Sequence, residues 1–253
     1  MPRSISRLVL SCCILLAARS AFAAPTITKG PYLQNARTNA VVIMWETSDS
    51  SNSKVQYGPT TSYGQTISNS TSTRLHEIAL SGLTTDTLYH YKVTSAGSTG
   101  TVASADSTFR TAVATTTPFR FAAYGDSRTF ASSHAAVVKA IVARAPRLVL
   151  HTGDITRDGT VASYWQTEYF APAKPLIATT PLYPSLGNHE KGTTNYYTYF
   201  SHANATTEIV WSTAASIGSY NVVVEGNIGM WKYVKVVCGG AQTGAKVFTL
   251  VGK

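Results

Sequence analysis

Phe119-Arg120-Phe121-Ala122-Ala123-Tyr124-Gly125-Asp126 is a short apolar run that stops at a glycine and an acid. The pattern recurs twice downstream. Leu148-Val149-Leu150-His151 leads to Gly153-Asp154, and Leu182-Tyr183-Pro184-Ser185-Leu186 leads to Gly187-Asn188-His189-Glu190. Between the first two runs, Ala135 to Arg144 has helical character and is stopped by Pro146; Tyr164 to Phe170 reads as helical before the third. The order strand-helix-strand-helix-strand predicts a parallel sheet with right-handed crossovers. Asp126, Asp154 and Asn188 lie 28 and 34 residues apart, each interval long enough for one crossover helix.

Ligands of open α/β sheets collect outside the carboxyl ends of the strands. Neighbouring strands are about 4.8 Å apart, and paired catalytic metals are about 3.5–4 Å apart. Asp126, Asp154 and Asn188 can therefore converge on two cations, and the glycine before each is expected to let the backbone turn its side chain into the site. A single Gly-Asp pair is an ordinary turn. Two at strand ends, followed at crossover spacing by Gly-Asn-His-Glu, are specific. His151 reads as a packed histidine near the site, and His134, near a helix start, as exposed.

Upstream, residues 26 to about 112 read as short strands and turns. Val41-Val42-Ile43-Met44-Trp45 and Lys54-Val55-Gln56-Tyr57 are β-rich, and Leu88 to Val93 alternates so that Tyr89, Tyr91 and Val93 share a face. This predicts a β-sandwich with Tyr89 as a tyrosine corner. His76 and His90 read as surface or packing residues.

The amino terminus reads as a signal rather than as fold. Arg3 and Arg7 precede an apolar run from Leu8 to Ala18, and Ala21-Phe22-Ala23 offers a cleavage site. The run is too short to span a bilayer, so an exported protein, secreted or periplasmic and without a membrane anchor after cleavage, is expected. Cleavage takes three arginines from a chain of net charge +9 and leaves Cys238 as the one cysteine, read as a small buried residue. The remaining positive charge is scattered, which excludes a nucleic-acid surface and modestly favours anionic substrates.

Gly125-Asp126-Ser127-Arg128, Gly153-Asp154-Ile155-Thr156-Arg157-Asp158-Gly159 and Gly187-Asn188-His189-Glu190 resemble the first three motifs of the calcineurin-like metallophosphoesterases. The region ending in Ser107-Thr108-Phe109-Arg110-Thr111 resembles the fibronectin type III-like N-terminal domain of purple acid phosphatases. The resemblance implies a β-sandwich followed by an incomplete α/β metallophosphoesterase domain. Its divisions are a signal at 1–23, the sandwich at 24–113, the phosphoesterase part at 118–210 and a C-terminal β-strand segment at 216–253. It also implies a dinuclear site of iron, zinc or manganese: Asp126 on the first metal, Asp154 bridging, Asn188 on the second. His189 would stand near the phosphate, and Arg128 beside the site could contact phosphate as a planar donor.

Two departures matter. Purple acid phosphatases carry a tyrosine ligand three residues after the bridging aspartate, where this chain has Arg157. The family also completes its site with a further histidine and a Gly-His-x-His motif. The one histidine after His189 here is His202, in Phe200-Ser201-His202-Ala203, which matches neither. Tyr220 to Glu225 and Val234 to Val237 read instead as hairpin strands. An internal deletion, a truncated gene model or a decayed paralogue would each leave such a chain. Two functions stay open: a metal-dependent hydrolase of small phosphate esters, its activity limited by the missing ligands, or a catalytically inactive exported binding protein with a remnant phosphoesterase domain.

Overall fold

The computed structural model describes residues 24–114 and 117–201, with the backbone of 208–212, 221–225 and 248–251. The signal at 1–23, His202, Tyr220, Val234 to Val237 and Cys238 lie outside the described residues.

The amino-terminal unit is built around one long strand. β1 (Ile27–Gln34) pairs antiparallel with the first half of β2 (Val41–Gly58), β3 (Gln65–Leu80) pairs along both halves, and β4 (Leu88–Gly97) pairs with the second half. The β2–β3 register slips between Glu46 and Ser53, which bends the strand from one layer into the other. β5 (Gly100–Ala103) and β6 (Ser107–Arg110) both pair with β4. Inward residues of both layers form one core: Ile43 and Trp45 before the bend, Val55 and Tyr57 after it, with Leu80, Tyr91, Val93 and Phe109. This is the expected sandwich. The Tyr89 hydroxyl accepts the Thr84 N–H at 3.0 Å, the bond of a tyrosine corner. His76 is buried, stacked on Trp45 at 4.8 Å and bonded to Thr47 and Ser53, while His90 pairs with Asp106.

In the second unit, β7 (Arg120–Tyr124), β8 (Leu148–His151) and β9 (Leu182–Pro184) run parallel in that order. α1 (Ala131–Val142) joins the first two strands. α2 (Ala162–Tyr164) continues through a π-helical stretch (Trp165–Phe170) into α3 (Ala171–Ile177), so the second crossover helix is longer than expected. α4 (Thr194–Tyr199) follows β9. β10 (Glu208–Ser212) pairs antiparallel with β11 (Asn221–Glu225). The strand at 221–225 is therefore present, with 208–212 as its partner. β12 (Phe248–Val251) joins the parallel sheet antiparallel to β7, a placement that short apolar runs do not announce. Among the described residues, no helix is long and apolar enough to cross a membrane.

The β9 edge of the sheet is covered by the sandwich. Gln34 Nε2 donates to the Leu182 carbonyl at 3.2 Å, and the Tyr183 hydroxyl donates to the Ala36 carbonyl at 2.7 Å. Tyr32 and Met44 belong to the α/β core, where Tyr32 meets Phe170 at 5.1 Å and donates to the Tyr199 carbonyl at 2.6 Å. An uncovered strand edge invites pairing with other chains. Here a second domain supplies the cover.

Candidate active site at the carboxyl ends of the parallel strands

The loops leaving β7, β8 and β9 carry the three predicted positions and are tied to one another. The Asp126 N–H donates to the Gly153 carbonyl at 3.1 Å, joining the first loop to the second. The His189 N–H donates to Asp154 Oδ1 at 3.1 Å, joining the third to the second. Arg128 Nη1 donates to both Asp126 Oδ1 and, at 2.8 Å, Asp154 Oδ2. Asp126, Asp154, Arg128 and His189 are thus brought together. Asn188 stands exposed in the third loop, next to the His189 amide that holds Asp154.

The glycines act differently from the expectation. Gly153 has a positive φ (+90°), but Gly125 and Gly187 do not; the turns there fall on Asp126 (φ 53°) and Asp154 (φ 54°) themselves. Aspartate tolerates this left-handed region better than most side chains. Gly125 and Gly187 are needed for space. A β-carbon at Gly187 would lie 2.2 Å from the Asp154 nitrogen and 2.3 Å from its Oδ1; one at Gly125 would lie 1.7 Å from Thr152 Oγ1.

Three buried groups hold these loops: Glu190 and Glu168, given no role from sequence, and His151, expected there to pack near the site. Glu190 is fully buried, and its carboxylate accepts four backbone N–H groups: Ile155 (2.7 Å) and Thr156 (3.2 Å) on Oε1, Asp154 (2.9 Å) and Gly187 (2.7 Å) on Oε2. Burial pushes its carboxyl above the usual range, against the opposite pull of those four donors. Glu168, turned inward by the π-helical stretch, accepts the N–H groups of Thr129 (3.1 Å) and Arg157 (2.8 Å) and the Arg157 Nε–H. It pins the loop after Asp126 to the loop after Asp154.

His151 is the third. Its Nδ1 accepts the Gly153 N–H at 3.2 Å, so Nε2 carries the proton and donates to Ser127 Oγ at 2.9 Å; Ser127 in turn donates to the Ile155 carbonyl. Burial, and secondarily His134, hold His151 well below the usual histidine range, which keeps it neutral. His134 corrects the expectation of exposure. It is buried on the face of α1 shared with Val138 and Ile141, donates from Nδ1 to the Glu168 carbonyl at 2.8 Å, and meets the Tyr124 hydroxyl at 3.2 Å.

Arg157 occupies the position where the resemblance would place tyrosine. Its guanidinium pairs with Glu168 and lies 4.6 Å over the Tyr164 ring. The Arg157 carbonyl accepts the His189 Nδ1–H at 2.8 Å, so Nε2 is the ring nitrogen left to face a substrate.

The donor chemistry fits part of a cation's shell. Oδ1 of Asp126 and Oδ2 of Asp154 converge on one positively charged nitrogen, and carboxylate oxygens suit hard and borderline divalent ions. Among the described residues, no three His, Cys, Asp or Glu side chains are grouped to hold a metal ion.

Residues 29–111 match the family model described as purple acid phosphatase, N-terminal domain, and residues 119–250 match that of the calcineurin-like phosphoesterases. No curated protein matches the sequence. Among solved structures, a purple acid phosphatase from yellow lupin (Lupinus luteus) seeds is similar over 75% of this chain and 42% of its own, at 17% identity and a TM-score of 0.60. The structure of PhoD is similar over 67% of this chain and 40% of its own, at 11% identity and a TM-score of 0.51. At such identities the likeness is one of fold, and this chain spans about two fifths of either protein.

Proposed function

The chain belongs to the calcineurin-like phosphoesterase family, and from that membership we propose that it is a metal-dependent hydrolase of small phosphate esters, of the purple acid phosphatase type. The observation that carries this reading is the convergence of Asp126 and Asp154, from neighbouring parallel strand ends, on a single cationic nitrogen. Asp126, Asp154 and Asn188 would hold the metals, whether iron, zinc or manganese. When bound, such ions supply positive charge against the negative charge that develops on a phosphoryl group.

The chain's own groups do the rest. Asp154 is fixed by Glu190 through its backbone and by His189 and Arg128 through its two oxygens, so its direction is set before any ligand arrives. With Nδ1–H held by the Arg157 carbonyl, His189 is left with Nε2, which can accept a proton or, when it carries one, donate to a phosphate or leaving-group oxygen. Arg128 is a planar donor at the rim, able to take phosphate oxygens in pairs. We place the protein outside the cytoplasm on the reading of residues 1–23 as a cleaved signal, with the sandwich at 24–113 and the phosphoesterase unit at 118–210 as its two working parts.

The test pairs metal content after dialysis with hydrolysis of a generic aryl phosphate in added manganese, zinc or iron. Bound cations, and turnover abolished by Asp154→Ala in a folded variant, are expected. An inert, metal-free yet folded wild type would overturn the reading and favour the catalytically inactive binding protein.

A further inference from the structure

We infer that Arg128 sets the metal affinity of this site by acting as its built-in cation: the guanidinium and a divalent ion compete for the point where Asp126 Oδ1 and Asp154 Oδ2 converge. The inference rests on reading these carboxylates as metal ligands.

The geometry supports it directly. A single nitrogen, Nη1, donates to both carboxylates, at 2.8 Å to Asp154 Oδ2 and in close contact with Asp126 Oδ1. Two neighbouring carboxylates repel, and a cation between them removes that repulsion. The backbone of Arg128 is anchored beside both acids: its N–H donates to the Asp154 carbonyl at 3.3 Å, and its own carbonyl accepts the Phe130 N–H at 2.9 Å. The guanidinium is therefore tethered at the site whatever its rotamer. A metal that reaches both oxygens must displace the guanidinium from the point where they converge. The approach to the convergence point is from the Asp126 side, where the Asp126 side chain is 57% exposed and that of Arg128 29%, against 14% for Asp154. Once displaced, the guanidinium remains at the rim, where it can meet the phosphate of a substrate. One side chain would then hold the acids together without metal and bind the anion with it.

A merely structural arginine would make the opposite prediction, since its loss would loosen the acids and weaken metal binding. The experiment titrates manganese and, separately, zinc into the chelator-treated full chain by calorimetry, for wild type, Arg128→Ala and Arg128→Lys. Thermal melts are recorded in EDTA and in excess metal, and circular dichroism checks the fold. Losing a charged competitor bound to two acids should tighten metal binding by about tenfold or more. Arg128→Lys should fall between, because a more strongly hydrated ammonium on a flexible stem can still sit between the two acids but holds them less firmly. Arg128→Ala should melt below wild type in EDTA and recover with metal. Equal or weaker metal binding by Arg128→Ala, with wild type binding well, would overturn this inference and leave the phosphoesterase reading standing. No metal binding by any of the three folded proteins would overturn both.

Discussion

Replacing Glu190 by glutamine removes one negative charge and one acceptor at the point where the second and third loops meet. The carboxylate takes two N–H groups on each oxygen, at 2.7–3.2 Å, and the side chain has no solvent to turn to. A glutamine can keep one oxygen for one pair of donors, but its NH2 must then face the other pair, donor against donor. Hydrogen bonds to a charged group contribute about 1.5–3 kcal/mol each, so two lost bonds amount to roughly 3–6 kcal/mol. Removing a buried charge offsets part of this, since burial already pushes the Glu190 carboxyl upward. The net expectation is a loss of about 2–4 kcal/mol. Urea denaturation of the full chain at neutral pH would measure it. Trp165 is a suitable local fluorophore, because its Nε1 donates to the Gly159 carbonyl at 2.9 Å and Gly159 packs against the Glu190 backbone. A Glu190→Gln protein within about 0.5 kcal/mol of wild type, the scatter of surface substitutions, would refute the idea that this carboxylate pins the loops.

Two further outcomes are expected. Gly187→Ala would drive a methyl group into the Asp154 backbone and carboxylate and should cost about 1–3 kcal/mol together with a loss of metal affinity; Gly192→Ala, with open space around it and a φ of +59°, should lose stability only and leave metal binding unchanged in the same titration. His76 has its pKa lowered by burial from 6.5 to about 4, so the unfolded chain takes up a proton at this histidine before the folded one does. Its contribution is complete above pH 6.5 and is lost as pH falls toward about 4, roughly 3 kcal/mol in all; denaturation curves at pH 7 and 4.5 should show a smaller acid loss in a folded His76→Gln variant, and an equal loss would refute the assignment.

The strand ends were legible in the sequence because each apolar run stops at a small residue followed by a polar one, and that pattern survives without knowledge of the fold. What pins them was not legible. Glu190 is visible as the last letter of Gly-Asn-His-Glu, but its four partners lie in two loops, three of them more than 30 residues upstream. Glu168 sits in an ordinary-looking helical stretch and becomes a loop clamp only because the π-helical turn brings Trp165, Glu168, Tyr169 and Phe170 all inward. A π-helical turn leaves little trace in local propensity. His134 is buried rather than exposed for a related reason. The apolar pattern of α1 points Val138 and Ile141 inward, and the same face, carried one turn back, reaches His134. A polar residue at the edge of an apolar face is decided by whether a partner waits there, and here the Glu168 carbonyl and the Tyr124 hydroxyl do.

The carboxylates of this region divide by burial, and the division explains how the site is built. Glu168 and Glu190 lie inside, with side-chain exposures of 2% and 0%, and nearly all their hydrogen bonds go to main-chain N–H groups. Buried charges of this kind are tolerable only when fully bonded, so they are committed to holding loops and have no capacity left for a ligand. Asp126 lies toward solvent and Asp154 is partly covered, and both take their positive partner from Arg128, a side chain 29% exposed. The inner acids hold the outer ones in place, at the left-handed backbone positions Asp126 and Asp154 occupy. The outer ones keep oxygens that can be exchanged from one cation to another. Damage to an inner acid should therefore appear first as lost stability, and damage to an outer one first as altered metal binding. Glu190→Gln and Asp154→Ala, compared in the same pair of assays, separate the two.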